Sequence, residues 1–242
     1  MKILSIDTAS NICGVSILEN ENLVCNLDIL TEKSHSENLM PLIEKVFKDT
    51  SLELKDIDLI TCDIGPGSFT GIRIGVATSK SFVDSTNIPC IGISSLESLA
   101  YNIKPNVQNN ELICSIIDCK NNNCYFSLLE NTIDGFNVLI EPMAENIVSA
   151  LSILDSYLKD NFEFENTFIN FVGNGSKIHK DKISNYFKNS KFYDDKFDVL
   201  NSYNLGLAGL AKYRNGIDFS DYEVLPLYLK KPQAERQLEN KQ

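Results

Sequence analysis

The order of elements constrains this chain most. Three strand-like stretches open it. Residues 3–7 are short and apolar, and 12–18 follow after Thr8-Ala9-Ser10-Asn11. Beyond the Glu19-Asn20-Glu21-Asn22 turn, Leu23, Cys25, Leu27 and Ile29 alternate with mostly polar neighbours. Ser36 suits the cap of a helix reaching about residue 49, with Pro41 in an early turn or at a kink. Residues 58–64 read as a strand, Gly65-Pro66-Gly67 as a turn, 68–84 as a helix, 88–93 as a strand and 95–102 as a short helix. This β-β-β-α-β-α-β order predicts a lobe with a mixed sheet and helices laid against it.

The polar segment 104–110, with Pro105 inside it, is the expected linker. A second lobe then starts over. Residues 112–118 and 125–130 read as strands around Asn121-Asn122-Asn123, and 136–140 as a third. A helix is expected over 144–158, with apolar residues at 147, 148, 151, 154 and 158. A strand at 167–172, the turn Gly173-Asn174-Gly175 and helices at 177–187 and 202–213 complete it. The expectation is an α/β protein of two lobes, 1–103 and 104–242, each a mixed β-sheet flanked by helices. The segment after about 216 is placed so that it can return to the first lobe. The polar tail after Lys231 is expected to fray.

Charge and composition narrow the function. The net charge of -11 opposes tight binding of nucleic acid by the chain alone. No apolar run approaches the roughly 20 residues that span a bilayer, so no membrane partner is expected. The chain opens on a strand with no signal-peptide layout. The seven cysteines are scattered and form no CxxC pair, which suits a reduced, cytoplasmic protein. His35 and His179 stand far apart, which leaves little for a histidine metal site or general base.

Four motifs carry candidate chemistry. Asp7-Thr8 at a strand end matches the place where actin-like ATPases set an aspartate beside the phosphates and their metal. An Asx-type turn explains the same residues. Gly65 and Gly67 frame a turn that either offers backbone N–H groups to an anion or simply reverses the chain into a helix. It lacks the Walker lysine and the dinucleotide spacing. In the helix that follows, Phe69, Ile72, Val76 and Val83 form an apolar stripe, and Gly71, Gly75 and Ser79 line a second, small one. Two glycines on one stripe cost about 1 kcal/mol each against alanine, so a close packing partner is expected. That partner is either helix 37–49 of this chain or a helix of another protein. In helix 37–49 itself, Leu39, Met40, Leu42, Ile43, Val46 and Phe47 spread over roughly 160°, wider than one core face requires. Two adjacent helices of this kind point to a protein–protein surface.

Ile3-Leu4-Ser5-Ile6-Asp7-Thr8-Ala9, then Ser34-His35-Ser36-Glu37 with Leu39 and Pro41, then the run from Gly65 to Gly75 (GPGSFTGIRIG) resemble the TsaB (YeaZ) family in order and spacing. Pro226-Leu227-Tyr228-Leu229-Lys230 resembles the family's C-terminal P-x-Y-L-R. The match covers about the first 100 residues and the tail. The family's second lobe usually opens Asp-Ala-Arg-Arg-Gly-Glu-Val-Tyr, whereas this chain has Asp118-Cys119-Lys120-Asn121-Asn122-Asn123-Cys124-Tyr125.

The resemblance implies an actin-like two-lobed fold and a non-catalytic subunit. Its partner would be the catalytic paralogue TsaD, which with the ATPase TsaE transfers threonylcarbamoyl to the adenosine next to the anticodon of tRNAs reading codons that begin with A. Leu39, Ile43, Val46, Phe69, Gly71, Ile72, Gly75, Val76 and Ser79 would supply the interface to TsaD and to a second copy. Asp7, Thr8, Gly65 and Gly67 would be a vestigial nucleotide site. TsaD carries a metal-binding H-x-E-G-H, whose histidine positions fall on Ser95 and Leu99 here, and neither side chain suits a transition metal. The resemblance therefore implies no cofactor in this chain, with ATP and metal held by the partner subunits. It also implies tRNA contact only through the complex, where Lys230, Lys231 and Arg236 would make at most a small local patch. The alternatives are an actin-like small-molecule kinase, which needs phosphate loops in both lobes, and a metallopeptidase, which needs metal ligands.

Overall fold

Alternation of apolar residues through the first thirty positions builds an antiparallel meander. In the computed structural model, which describes residues 1–31, 35–163, 167–219 and 223–230, β1 (Lys2–Asp7), β2 (Ile12–Glu19) and β3 (Asn22–Leu30) pair in sequence. β4 (Leu59–Gly65) adds to β1 in parallel, and β5 (Cys90–Ser94) adds to β4 in parallel. The sheet order is β3-β2-β1-β4-β5. Parallel neighbours require crossovers, and helices supply them. α1 (His35–Thr50) leads from β3 to β4, and α2 (Phe69–Thr86) from β4 to β5. Ser68 Oγ caps α2 by accepting the Gly71 N–H at 3.2 Å, and Asn87 closes the helix in the left-handed region.

α3 (Ser95–Ile103) and the 3-10 turn Lys104–Asn106 lead to a second sheet. β6 (Leu112–Asp118), β7 (Asn123–Thr132) and β8 (Gly135–Asn146) repeat the meander. β9 (Ile169–Val172) pairs with β6 in parallel, and β10 (Ser190–Phe192) pairs with β9, giving the order β10-β9-β6-β7-β8. α4 (Ile147–Asn161) joins β8 to β9, while α5 (Asn174–Ile178) and α6 (Lys180–Tyr186) join β9 to β10. α7 (Ser202–Arg214) comes back to the first sheet, where Leu205, Ala208 and Leu210 pack with Ile3, Leu18 and Leu59. The opposite face of that sheet buries Leu39, Ile43 and Val46 of α1 and Ile72 and Val76 of α2. Each fully buried leucine or isoleucine contributes about 1.5–3 kcal/mol of transfer free energy.

Three details differ from the sequence expectations. The helix expected from residue 144 begins at Ile147, because β8 continues to pair with β7 as far as Asn146 opposite Asn123. Asn146 Oδ1 then caps α4 from the Val148 N–H at 3.0 Å. The helix expected over 177–187 breaks at His179, whose backbone leaves the helical region while its buried ring faces Asp118 at 3.5 Å. β10 was not expected, since three residues are too few to show a period. Ser34 and the tail from Lys231, including Arg236, lie outside the described residues.

The segment 223–230 touches both lobes. Leu227 N–H donates to the Ile64 carbonyl at 2.8 Å. The Tyr228 ring stacks on Phe69 with centroids 4.7 Å apart, and Arg73 Nε donates to Tyr228 Oη at 2.8 Å. Lys230 Nζ donates to Cys119 Sγ at 2.9 Å, on the β6–β7 hairpin. Tyr228→Ala is expected to cost about 1–2 kcal/mol through the lost ring pair and burial. Limited proteolysis should then cut the variant earlier than wild type within this segment, with α1 and α2 still protected.

Candidate functional site

Asp7 ends β1, and Asp63 stands beside it in β4, because the parallel register sets Ile6 opposite Cys62. Neither carboxylate reaches the surface. Asp7 Oδ1 accepts the Ala9 N–H at 3.0 Å, an Asx-type turn as one of the two sequence readings required. Asp63 Oδ1 accepts the Gly65 N–H at 2.7 Å and the Ser95 hydroxyl at 2.6 Å. The second oxygen of each has no hydrogen-bond partner among the described residues. Burial raises Asp7 well above the usual carboxyl range, and the Asp63 charge raises it further. Burial also pushes Asp63 up to about 7, against the opposing pull of its hydrogen bonds from Ser95 and Gly65. Asp63 was missed in the sequence reading. Its signal was a carboxylate inside an otherwise apolar strand, since buried charge is rare unless paired.

The structure gathers Asp7, Thr8, Gly65 and Gly67 into one cluster. Thr8 Oγ1 donates to the Gly71 carbonyl at 2.8 Å. Gly67 lies so close to Ala9 that a Cβ there would overlap its carbonyl. The backbone donors expected to face an anion are largely committed. Gly65 N–H goes to Asp63, Ser68 N–H to the Ala9 carbonyl at 2.7 Å, and Gly71 N–H to Ser68 Oγ. Pro66 has no donor. The matching turn in the second lobe is likewise engaged, because Gly173 N–H donates to Asp198 Oδ1 at 2.7 Å. A carboxylate of the chain itself thus holds the amide that a phosphate would need.

Ser95 and Leu99, at the start and middle of α3, fill the two positions expected to align with metal-binding histidines. Ser95 Oγ is spent on Asp63, and Leu99 Cδ1 lies 3.1 Å from where a Cβ on Gly173 would stand. Glu97, on another side of α3, pairs with Lys212 of α7 at 2.7 Å. Among the described residues, no group of three or more His, Cys, Asp or Glu is placed to hold a metal ion. At these two α3 positions the serine and the leucine do not fit a transition metal.

The expected interface residues fall mostly inside the lobe. Leu39, Ile43, Val46, Ile72 and Val76 are core, and Ser79 is fully buried. A Cβ on Gly71 would overlap the Thr8 carbonyl oxygen and crowd His35, and one on Gly75 would meet Thr8 Oγ1. This corrects the expectation that Gly71 and Gly75 admit a partner's helix. Their small stripe lets α2 lie directly on the end of β1, where backbone and side chain of Thr8 leave no room for a methyl group. Phe69 is half-buried under Tyr228. What α1 and α2 turn outward is a different set, including Met40, Thr70, Arg73, Ala77 and Ser81.

A groove of about 800 Å³ opens elsewhere, lined by Glu21, Tyr101, Lys104, Ile133, Tyr203 and Arg214 among others. Glu21 follows the end of β2 that pairs with the start of β1, so this groove lies at the far end of β1 from Asp7. Among the described residues, no helix is long and apolar enough to cross a membrane.

Known proteins share this architecture. A family profile described as "TsaD: tRNA N6-adenosine threonylcarbamoyltransferase" matches residues 29–238. The "tRNA threonylcarbamoyladenosine biosynthesis protein TsaB" of Bacillus subtilis is 28% identical over 235 residues, covering 97% of this chain and 96% of that one. "YeaZ from Pseudomonas aeruginosa" superposes with a TM-score of 0.73 at 19% identity, over 94% of this chain and 99% of that one. The ROK hexokinase of Thermus thermophilus superposes at a TM-score of 0.51 and 10% identity, over 88% of this chain and 100% of that one. The fold is therefore the actin-like, two-lobed architecture that sugar kinases also use.

Proposed function

We propose, from the premise that this chain belongs to the family of the threonylcarbamoyltransferase profile that spans residues 29–238 and from its likeness to the TsaB of Bacillus subtilis, that it is a TsaB-type, non-catalytic subunit supporting a TsaD-like catalytic relative in tRNA threonylcarbamoyladenosine formation. A TsaE-like ATPase completes the assembly. The observation that carries this reading is the site on α3. A catalytic member needs metal ligands there, and this chain has a serine committed to Asp63 and a leucine packed against Gly173. The engaged amides of the glycine turns weigh in the same direction, since they leave few backbone donors for a nucleotide phosphate. ATP and metal then belong to the partners, and tRNA meets this chain within the complex. The compartment that suits this work is the cytoplasm.

Partner contact is assigned to the outward faces of α1 and α2, used for the catalytic relative and for a second copy in turn. Leu39, Ile43, Val46, Ile72 and Val76 hold those helices on the sheet from beneath. Gly71, Gly75 and Ser79 set how close α2 lies to β1. Phe69 contributes at the rim, next to Tyr228.

The purified chain alone is expected to show negligible ATP hydrolysis and no transfer to tRNA. Elemental analysis after dialysis should find no stoichiometric zinc or iron. Sustained turnover by the isolated chain, or one firmly held metal per chain, would overturn the reading.

A further inference from the structure

The charge on this chain is unevenly placed. Lys+Arg number 22 against 33 Asp+Glu, yet residues 174–193 carry five lysines and one carboxylate, Asp181. Within that stretch Lys180 and Lys182 lie on α6, Lys188 follows the helix, and Lys191 is on β10, the edge strand of the second sheet. Two contacts join these lysines to one another and to the β6–β7 hairpin. Lys180 Nζ sits 5.1 Å from the ring centroid of Phe192, which brings α6 against β10. Lys182 Nζ donates to Asn122 Oδ1 at 3.0 Å, which brings the hairpin and its Lys120 against α6.

Lys177, the remaining lysine of the stretch, pairs with Asp195 and Asp198, whereas Lys180, Lys182, Lys188, Lys191 and the hairpin's Lys120 are exposed and make no ion pair among the described residues. Elsewhere lysines do find carboxylates, as Lys45 does at Asp49 and Lys159 at Asp155. Of the nearby acids, Asp181 is exposed within the stretch, Asp194 and Asp195 follow it directly, Asp195 and Asp198 pair with Lys177, and Asp118 faces His179. Unpaired cations add little to stability at the surface, but clustered they create a local positive potential on an acidic molecule. Tyr186, 39% exposed, adds a ring beside them, and the left-handed turn Lys120-Asn121-Asn122 adds amide groups.

We propose that this lysine ridge, Lys120, Lys180, Lys182, Lys188 and Lys191, binds the phosphate backbone of RNA, and that the RNA is the tRNA substrate of the complex. The proposal rests on the function assigned above. Neutralising phosphates releases condensed counterions, and that gain needs unpaired lysines and not base-specific contacts. A membrane surface fits less well. α6 has seven residues and buries its Ile183, and the apolar side chains exposed here, Ile178 and Tyr186, stand on two different short helices and form no continuous apolar face.

The test compares wild type with K180E/K182E/K191E and with K180R/K182R/K191R, checking each for folding and mass. A fluorescent, unmodified tRNA transcript is titrated with the assembled complex, and with the isolated chain at low ionic strength. In the complex the glutamate variant should bind roughly 10-fold more weakly near 0.1 M salt, with a salt slope shallower by about 2, while the arginine variant keeps both. In the isolated chain, weak low-salt binding should vanish with the glutamates alone. Equal affinities and slopes for all three proteins would overturn the ridge and leave the subunit assignment standing. Failure of wild type to assemble would instead strike the assignment, with the isolated chain still deciding the ridge. Binding to anionic phospholipid vesicles that the glutamates abolish, with tRNA binding unaffected, would also overturn it.

Discussion

Gly71→Ala is expected to destabilise the fold by about 3 kcal/mol, because the added methyl group runs into backbone that cannot step aside. The obstacle is the Thr8 carbonyl, fixed by β1, with the His35 ring on the other side. Thr8 Oγ1 also bonds the Gly71 carbonyl, so moving α2 outward breaks that bond too. Gly75→Leu meets Thr8 Oγ1 and should fare worse. Urea denaturation of the isolated chain measures both. A partner-binding defect in a normally stable Gly71→Ala protein would show that the stripe faces outward after all. The contrasting substitution is Ala77→Arg on the outward side of α2. It should leave stability within about 0.5 kcal/mol, as surface changes usually do, and impair association with the catalytic relative.

Stability should also fall as pH rises through neutrality, and Asp7 and Asp63 should be the cause. Both carboxyls sit above their unfolded values, Asp63 at about 7 and Asp7 raised by burial and by Asp63. A raised folded value means the native state binds protons that the unfolded state has released. The stabilisation is therefore complete below the unfolded carboxyl range near pH 4 and is lost as pH climbs through about 7. Between about pH 5 and 7 Asp63 alone accounts for a loss on the order of 3 kcal/mol, or roughly 10 °C in Tm for a chain of this size, and Asp7 adds to it. Asp63→Asn should remove the part of that dependence that Asp63 carries and leave the part that burial imposes on Asp7, since the amide still accepts from Ser95 and Gly65 but carries no charge. Thermal melts of both proteins across this range decide it. Parallel profiles would mean that Asp63 is not where the proton is held.

Much of the architecture was legible because it rests on periodicity and punctuation. The alternation through Cys25, Leu27 and Ile29, the glycine turn before α2 and the apolar stripe of Ile72 and Val76 each leave a local trace. The sheet order was not legible, since β1 lies between β2 and β4 through contacts distant in sequence. The small stripe of α2 was legible and the side it faces was not. Spacing shows that Gly71, Gly75 and Ser79 share a face, but not whether that face meets this chain or another. Thr8, more than sixty residues earlier, decides it. Asp63 needed the parallel pairing of β1 with β4 before its neighbour Asp7 could be named. The engagement of Gly173 by Asp198 was equally hidden, as the two meet through the loop that follows β10.

Reconstitution tests the central claim most directly. Unmodified tRNA transcript, ATP and the threonylcarbamoyl donor are incubated with a TsaD-like enzyme and a TsaE-like ATPase, with and without this chain, and modified adenosine is counted by mass spectrometry. Modification should require this chain, should be absent when the chain acts alone, and should fail with Ala77→Arg while surviving Asp63→Asn. Modified adenosine formed by the chain alone, or full activity of the other two proteins without it, would contradict a supporting subunit.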